Sequence, residues 1–381
     1  MIMLAATLLL ALAWAYVGIA IVAARRFARR RIVAPRAAGA AASVSVLKPL
    51  YGADAGLAEN LRSFADQDHP EFQLVLGIRD RGDPAIPIAR ELIDERPRHD
   101  IVLVVDPRTE GSNLKVANLE NMLPVARHDV IVIADSDMRV TPEYLEAVTA
   151  PLADARVGLV TCLYKGVPNG GLWSTLAALH INFGFLPGAL VGEQFDVGGG
   201  CFGATLALRR DVLERIGGFS RLRNELADDH RMGSAVRRLG LASVLSTYIV
   251  ANHVSELTLA DVWRHELRWA RTSKAMAPIG FTGSFITHPI IIGGAVAALL
   301  GPGAPAVAVA SISLLLRWGS AALIARWLDL PRRGLWLLPL RDVLSFAVFV
   351  GSFCGRSVLW RNQQFRVEPG GRLRVEGDKP V

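Results

Sequence analysis

The sequence is poor in cysteine. Three in 381 residues, Cys162, Cys201 and Cys354, stand far apart, odd in number and without CxxC spacing. That excludes a disulfide framework and gives no zinc-binding pattern; they read as small core or membrane residues. Charge is missing from two long runs. Residues 1–24, MIMLAATLLLALAWAYVGIAIVAA, carry none, and residues 285–316 contain no Asp, Glu, Lys or Arg. The first run also lacks a basic stretch ahead of it and is long for the apolar part of a signal peptide, which disfavours cleavage. At about 1.5 Å per residue it reaches across a hydrocarbon core, so residues 1–24 are expected to be a transmembrane anchor. With 51% hydrophobic residues and a mean hydropathy of +0.33, the whole chain reads as a membrane protein.

What charge there is sits in particular places. RRFARRR, Arg25–Arg31, opens a basic linker over residues 25–42 and favours the cytoplasmic side. The region that follows is therefore expected in the cytosol, in a bacterial-type inner membrane protein. A net charge of +7 is compatible with nucleic acid, but the arginines gather beside apolar segments and on one helix, which suits anionic headgroups or a sugar nucleotide's phosphates better; no nucleic-acid partner is expected. GPGAP at 301–305 breaks the second uncharged run, as a tight turn or a kink. LWLLPLRDVLSFAVFVGSFCG, 335–355, is interrupted by Arg341 and Asp342, so it spans or lies at the interface. Residues 281–356 form the C-terminal membrane segments. The tail, 357–381, is basic, with Arg356 just before it and Arg361, Arg366, Arg372 and Arg374 within. If both flanks are cytosolic, the C-terminal spans are even in number.

Residues 43–280 read as a separate α/β domain. VSVLKPL (44–50), FQLVLGIRD (72–80), DIVLVVDP (100–107), DVIVIADSD (129–137) and VGLVTCLY (157–164) are short β-branched runs, and GLAENLRSFADQ, IPIARELIDER and YLEAVTAPLA alternate with them as helices. Apolar strands spaced by helices predict a mostly parallel, Rossmann-like sheet covered on both faces. Ligands of such sheets bind beyond the carboxyl ends of the strands. Carboxylates lie there: Asp80 and Asp83 after the second strand, Asp106 after the third, Asp135 and Asp137 after the fourth. Asp106, before Pro107, reads as a turn residue. Asp135 and Asp137 are not needed as caps, because Thr141 and Pro142 supply an N-cap and first helical position of their own. Two carboxylates so placed suit a hard divalent cation, Mg²⁺ or Mn²⁺, whose oxygen shell a nucleotide's phosphates complete.

Two further stretches carry chemistry. In NELADDHRMGSAVRRLG, 224–240, Asp228 and Asp229 open a helix, where carboxylates complement the dipole and where one of the pair can act as a general base toward an acceptor hydroxyl. In LADVWRHELRWARTSKAM, 259–276, Arg264, Arg268 and Arg271 fall at i, i+4 and i+7 in one basic stripe. That stripe suits a membrane surface with Trp263 and Trp269 at the interface, or a departing diphosphate held by arginine with tryptophan against the acceptor. Between the two, Gly198, Gly199, Gly200 and Gly203 precede a helix that Asp211 is expected to cap and Gly217 to end. HINFGFLPGALVG, 180–192, is a candidate interfacial entry for a lipid or a buried helix and loop.

In order and spacing, SVLKPL, DRGDPA, LKVANLENM, DSDMRV, GGCFGATLALRRDVLERIGGF, LADDHRMG, HELRWAR and WRNQQFRV resemble the family-2-type glycosyltransferases of GT-A fold. Within these the chain is most similar to family 21, the ceramide glucosyltransferase group with its hopanoid-associated bacterial members. The resemblance implies inverting transfer of a sugar, of the glucose or N-acetylglucosamine class, from a UDP-sugar to a lipid hydroxyl, ceramide or hopanoid. It implies that Asp83, with Asp80 as the nearby alternative, faces the nucleotide; that Asp135 and Asp137 form the metal-associated motif; and that Asp229, preceded by Asp228, is the base. Lys115 is implied to help with the donor. The family's Q/R-x-x-R-W motif maps to His265, Arg268 and Trp269, with histidine where glutamine or arginine is usual, so the charge at 265 depends on pH near neutrality. A processive polysaccharide synthase would share these motifs but needs more spans and glutamine at 265. A non-catalytic membrane scaffold would leave five strand-end carboxylates and an Arg-Trp helix without a reason.

Overall fold

The computed structural model describes residues 1–33, 42–196, 200–355, 357–360, 363–367 and 373–375. Residues 34–41 of the basic linker, Gly198, Gly199, Arg356, Arg361 and Arg372 lie outside them.

Four strands open the α/β region: β1 (Val44–Leu50), β2 (Phe72–Ile78), β3 (Asp100–Val105) and β4 (Val130–Ala134), connected through helices α2 (Leu57–Ala65), α3 (Ala85–Glu95) and α4 (Leu114–Met122). They run parallel, with Val44 of β1 opposite both Phe72 of β2 and Val130 of β4. Alternate residues face opposite sides of a strand, and here both sides are covered. Val44, Val46, Val130 and Val132 pack with Phe64 of α2 and Ala89 of α3. Leu47, Ile131 and Ile133 pack with Val116 and Leu119 of α4. All seven β1 positions and all five of β4 are buried, so the apolar runs are what a two-sided sheet demands.

The second half departs from a parallel pattern. β5 (Met138–Arg139), α5 (Tyr144–Thr149), β6 (Val157–Pro168), β7 (Thr205–Arg209), α8 (Arg210–Arg215), α9 (Asp228–Arg238) and β8 (Ala242–Val254) follow. The eight strands order as β3-β2-β1-β4-β7-β6-β8-β5. β7 is antiparallel to both β4 and β6, β5 is antiparallel to β8, and β6 and β8 are parallel. This is a mixed α/β sheet of GT-A type, parallel across β3 to β4 and mixed beyond.

Two local expectations are corrected, and the tail adds a feature. Thr141 caps no helix: its hydroxyl and its N–H both engage the Tyr248 hydroxyl at 2.9 and 2.7 Å, and α5 begins three residues later. Asp211 lies in the first turn of α8 and pairs with Arg209 and Arg215 rather than capping, whereas Gly217, at φ +96°, does follow the helix end. The basic tail contains a three-stranded antiparallel sheet, β9 (Ser357–Trp360), β10 (Gln363–Val367) and β11 (Leu373–Val375), with Phe365 fully buried.

The apolar helices assemble on one side. α1 (Ile2–Val33) carries RRFARRR as its last turns. α6 (Leu172–His180), a π-turn at Ile181–Phe185 and α7 (Leu186–Gln194) make one continuous helical run through the 180–192 stretch. After α10 (Leu259–Met276) come α11 (Pro278–Gly283), α12 (Pro289–Leu300), α13 (Ala304–Leu328) and α14 (Leu338–Gly351). Gly301 and Gly303, at φ +74° and +154°, make the 301–305 break a tight turn between α12 and α13. Among the described residues, Ile2–Arg31, Leu172–Gln194 and Ala304–Leu328 are long and apolar enough to cross a membrane, and a fourth span results if Pro278–Thr287 and Pro289–Leu300, bent by 64°, count as one. Leu172–Gln194 is an addition to the expected set. α14, 14 residues long, extends only about 21 Å against a hydrocarbon core of about 30 Å.

Candidate active site

β4 delivers Asp135 and Asp137 to the edge where β1, β2 and β3 also end. The Asp135 carboxylate takes an ion pair from Lys115 Nζ at 2.6 Å, and Asp137 accepts a hydrogen bond from Asn252 Nδ2 of β8 at 2.8 Å. Burial, and then the neighbouring Asp135 charge, push the Asp137 carboxyl above its ordinary range. Beneath them Lys48, fully buried in β1, donates to the Asp135 carbonyl at 2.7 Å and sits 3.6 Å over the Phe64 ring. Burial pushes its ammonium down to about 7, against the pull of Asp137 and Asp135.

Lys115 joins this loop to the second acidic motif. Asn113 caps α4, its Oδ1 accepting the Lys115 and Val116 N–H groups at 3.0 and 3.1 Å. The Asn113 amide donates in turn to the Glu225 carbonyl at 2.7 Å and to Asp228 Oδ1 at 3.5 Å, fixing the start of α4 against the start of α9. Lys115 Nζ thus lies 2.6 Å from Asp135 and 4.0 Å from Asp228. Burial alone would lower its pKa, but the Asp135 and Asp228 carboxylates outweigh it and the ammonium is held protonated. Burial raises both acids of α9: Asp228 goes up to about 6 despite Lys115, and Asp229 moves in the same direction. A Cβ on Gly203 would stand 3.2 Å from Asp229 Oδ2 and 3.6 Å from Lys115 Nζ; glycine lets this backbone lie against both.

α10 closes the other side. Thr258 and Asp261 form a reciprocal capping box, which starts the helix so that His265 and Trp269 share a face. The imidazole is held by Glu256 through Nδ1 at 2.6 Å and packs on Trp269 with ring centroids 4.3 Å apart. Trp269 meets the edge of Tyr164 at 6.4 Å, and Tyr164 stacks on Phe185 of the π-turn at 4.6 Å. The Tyr164 phenol is raised by burial and then by Asp137, Asp229 and Asp135, with Arg268 opposing, so it stands between the acids and α10. The arginine stripe divides: Arg264 pairs with Asp261, and Arg271 donates to the carbonyls of Cys354 and Ser357.

Lys115, Asp135, Asp228 and Asp229 are therefore brought together, with Asp137, His265, Arg268 and Trp269 around them. Asp83 is buried on the β2–α3 loop, where its carboxylate accepts the N–H groups of Gly52 and Ala85. Asp80 is exposed and accepts from Gly82, and Asp106 is a turn residue bound to Arg108. Among the described residues no three His, Cys, Asp or Glu side chains converge as a complete metal cage. The donors that are present, carboxylate oxygens with Asp135 one-third exposed, nevertheless fit a hard cation that takes its remaining ligands from phosphates.

Sequence reasoning missed Lys48, Asn113, Asn252, Glu256 and Tyr164. A lysine inside an apolar strand and an asparagine just ahead of LKVANL were visible signals for the first two. Asn252, Glu256 and Tyr164 come from the mixed half of the sheet and the segment leading out of it, where only the strand order brings them in.

The family model for glycosyl transferase family 21 matches residues 5–373. The chain belongs to this family. It is a glycosyltransferase, of the hexosyltransferase class. Ceramide glucosyltransferase 1 of Caenorhabditis elegans is 23% identical over 345 residues, covering 87% of this chain and 73% of the relative. Ceramide glucosyltransferase 3 of the same organism is 23% identical over 242 residues, 62% of this chain and 51% of the relative. Among solved structures, the mannosyltransferase PcManGT from Pyrobaculum calidifontis, in complex with GDP-Man and Mn²⁺, superposes with a TM-score of 0.54 at 18% identity, over 91% of this chain and 98% of its own. That likeness is one of fold.

Proposed function

We propose that this family member moves a hexose, glucose or N-acetylglucosamine, from a UDP-sugar to the hydroxyl of a membrane lipid, ceramide or hopanoid, with inversion. The observation that carries the reading is Lys115 binding the strand-end acid Asp135 and the helix-start acid Asp228 into one site beside Asp229. Residues 43–280 form the cytosolic catalytic domain, 1–24 its anchor, and 281–356 the C-terminal membrane segments ahead of a cytosolic tail.

Asp83, with Asp80 as the nearby alternative, faces the nucleotide, and Lys115 steadies the donor. Asp229 accepts the proton of the acceptor hydroxyl as that oxygen bonds to the anomeric carbon; the bond from this carbon to the diphosphate oxygen breaks, and its electron pair leaves with UDP. Arg268 meets the charge appearing on the diphosphate, and Trp269 with His265 packs against the acceptor. Asp135 and Asp137 would hold Mg²⁺ or Mn²⁺, which when bound neutralises the diphosphate and makes it a better leaving group.

Purified protein is expected to release UDP from a UDP-sugar only with a divalent cation present, and faster with ceramide or hopanoid added, the glycolipid being identified by mass spectrometry. A polymer product would instead support a processive synthase, and no release with any acceptor a scaffold. The rate should also fall in acid. Burial raises the folded pKa of the base Asp229 above the ordinary carboxylate value, as it raises its neighbour Asp228 to about 6, so acid removes the base at a higher pH than it would for an ordinary carboxylate; a pH profile of kcat/KM checks it. The stability term has the opposite slope. Between the unfolded value near 3.8 and about 6, the folded state binds the extra proton, so Asp228 costs the donor-free protein stability as pH rises through that window.

A further inference from the structure

α14 is short for a span and carries two charges, and both are paired inside the protein. Arg341, 1% exposed, grips Glu266 of α10, 4% exposed, with two parallel bonds of 2.8 and 2.7 Å. Its Nε donates to Ser345 at 3.0 Å. The next residue, Asp342, takes the same two-pronged grip from Arg317 of α13 at 2.8 Å twice, and Arg317 also donates to the Phe183 carbonyl of the π-turn at 3.0 Å. Neighbouring residues on a helix point about 100° apart, so α14 ties the catalytic helix to one side and the membrane hairpin to another. A second contact fixes the same face of α10: a Cβ on Gly351 of α14 would stand 3.1 Å from the Trp263 ring, and Trp263 lies one turn before Glu266.

Buried ion pairs add little net stability compared with apolar replacements. What a bidentate arginine–carboxylate pair does supply is a fixed orientation. Glu266 is adjacent to His265, two residues before Arg268 and one turn before Trp269, whose ring meets Tyr164.

We propose that Glu266 and Arg341 are positioning residues for sugar transfer, α14 acting as a strut that sets the rotation and depth of α10 so that Arg268 and Trp269 meet the reacting groups. The inference rests on the role given to Arg268 above. Removing one partner alone strands a buried charge and risks unfolding, so the test is a Glu266→Met/Arg341→Met double variant, which removes both charges and keeps the bulk. Thermal melting and the stoichiometry of UDP binding report the folded fraction. The expected result is full UDP stoichiometry and an unchanged melting temperature with kcat lowered roughly 10–100-fold, as for a misplaced catalytic group, and partial recovery in a Glu266-intact Arg341→Lys variant. A double variant turning over within twofold of wild type, while Arg268→Ala is impaired, overturns the strut and leaves the Arg268 reading standing. An Arg268→Ala variant with normal turnover overturns that reading, and the strut's purpose with it.

Discussion

Replacing Asp229 by asparagine is expected to slow sugar transfer by roughly 10²–10⁴-fold, the usual scale of a lost general base, with UDP-sugar and cation still bound. The variant is nearly isosteric. Asparagine Oδ1 can still accept the His230 N–H that Asp229 takes at 2.7 Å, so the start of α9 keeps its geometry and only proton-accepting capacity is lost. Asp228 supplies the contrast. It is buried, faces Lys115 and Asn113, and its charge holds α4 to α9. Asp228→Asn should therefore loosen donor binding more than it slows chemistry. Single-turnover rates at saturating UDP-sugar separate the two variants, and a wild-type rate for Asp229→Asn would remove the base assignment.

An Asp135→Asn/Asp137→Asn double variant is expected to lose transfer and to weaken Mn²⁺ binding at least about 100-fold, beyond the 10–100-fold typical of changes outside the ligand set. Mn²⁺ titration followed by electron paramagnetic resonance reads this without reference to turnover. The two positions differ in what they leave behind. The Asp135→Asn change strips Lys115 of its closest carboxylate, 2.6 Å away. The amide introduced by Asp137→Asn keeps a carbonyl oxygen to which Asn252 Nδ2 can still donate. Asp135→Asn alone should therefore perturb donor binding as well as the cation, and Asp137→Asn mainly the cation. Unchanged Mn²⁺ affinity in the double variant would refute the assignment.

Much of the site was legible because its parts are local. Buried apolar runs ending in carboxylates identified β2, β3 and β4 and the strand ends at which those carboxylates stand, and Asp228 and Asp229 could be placed at a helix start by composition alone. The misassigned parts are those in which a distant group competes for a local signal. Thr141 has the composition of an N-cap, but Tyr248, 107 residues on, takes its hydroxyl. The arginine stripe of α10 has the right spacing, yet Arg271 is spent on carbonyls of a later segment. Arg341 and Asp342 looked like an interruption in an apolar stretch and are both paired inside the protein, with Glu266 and Arg317.

Periodicity and helix-start composition are short-range physics, so the order of residues alone was enough to place Asp135 and Asp137 after a buried strand and Asp228 and Asp229 at a helix start. It took the folded chain to join the two acidic motifs through Lys115, to bring Tyr164 and Glu256 into the site, and to make α14 brace α10 rather than merely cross or line a membrane. These depend on an antiparallel β7 inserted between β4 and β6 and on buried pairs such as Arg341 with Glu266, 75 positions apart in the chain, and Lys115 with Asp228. Such contacts form only when burial makes an unpaired charge too costly to leave alone, and no local pattern encodes that cost.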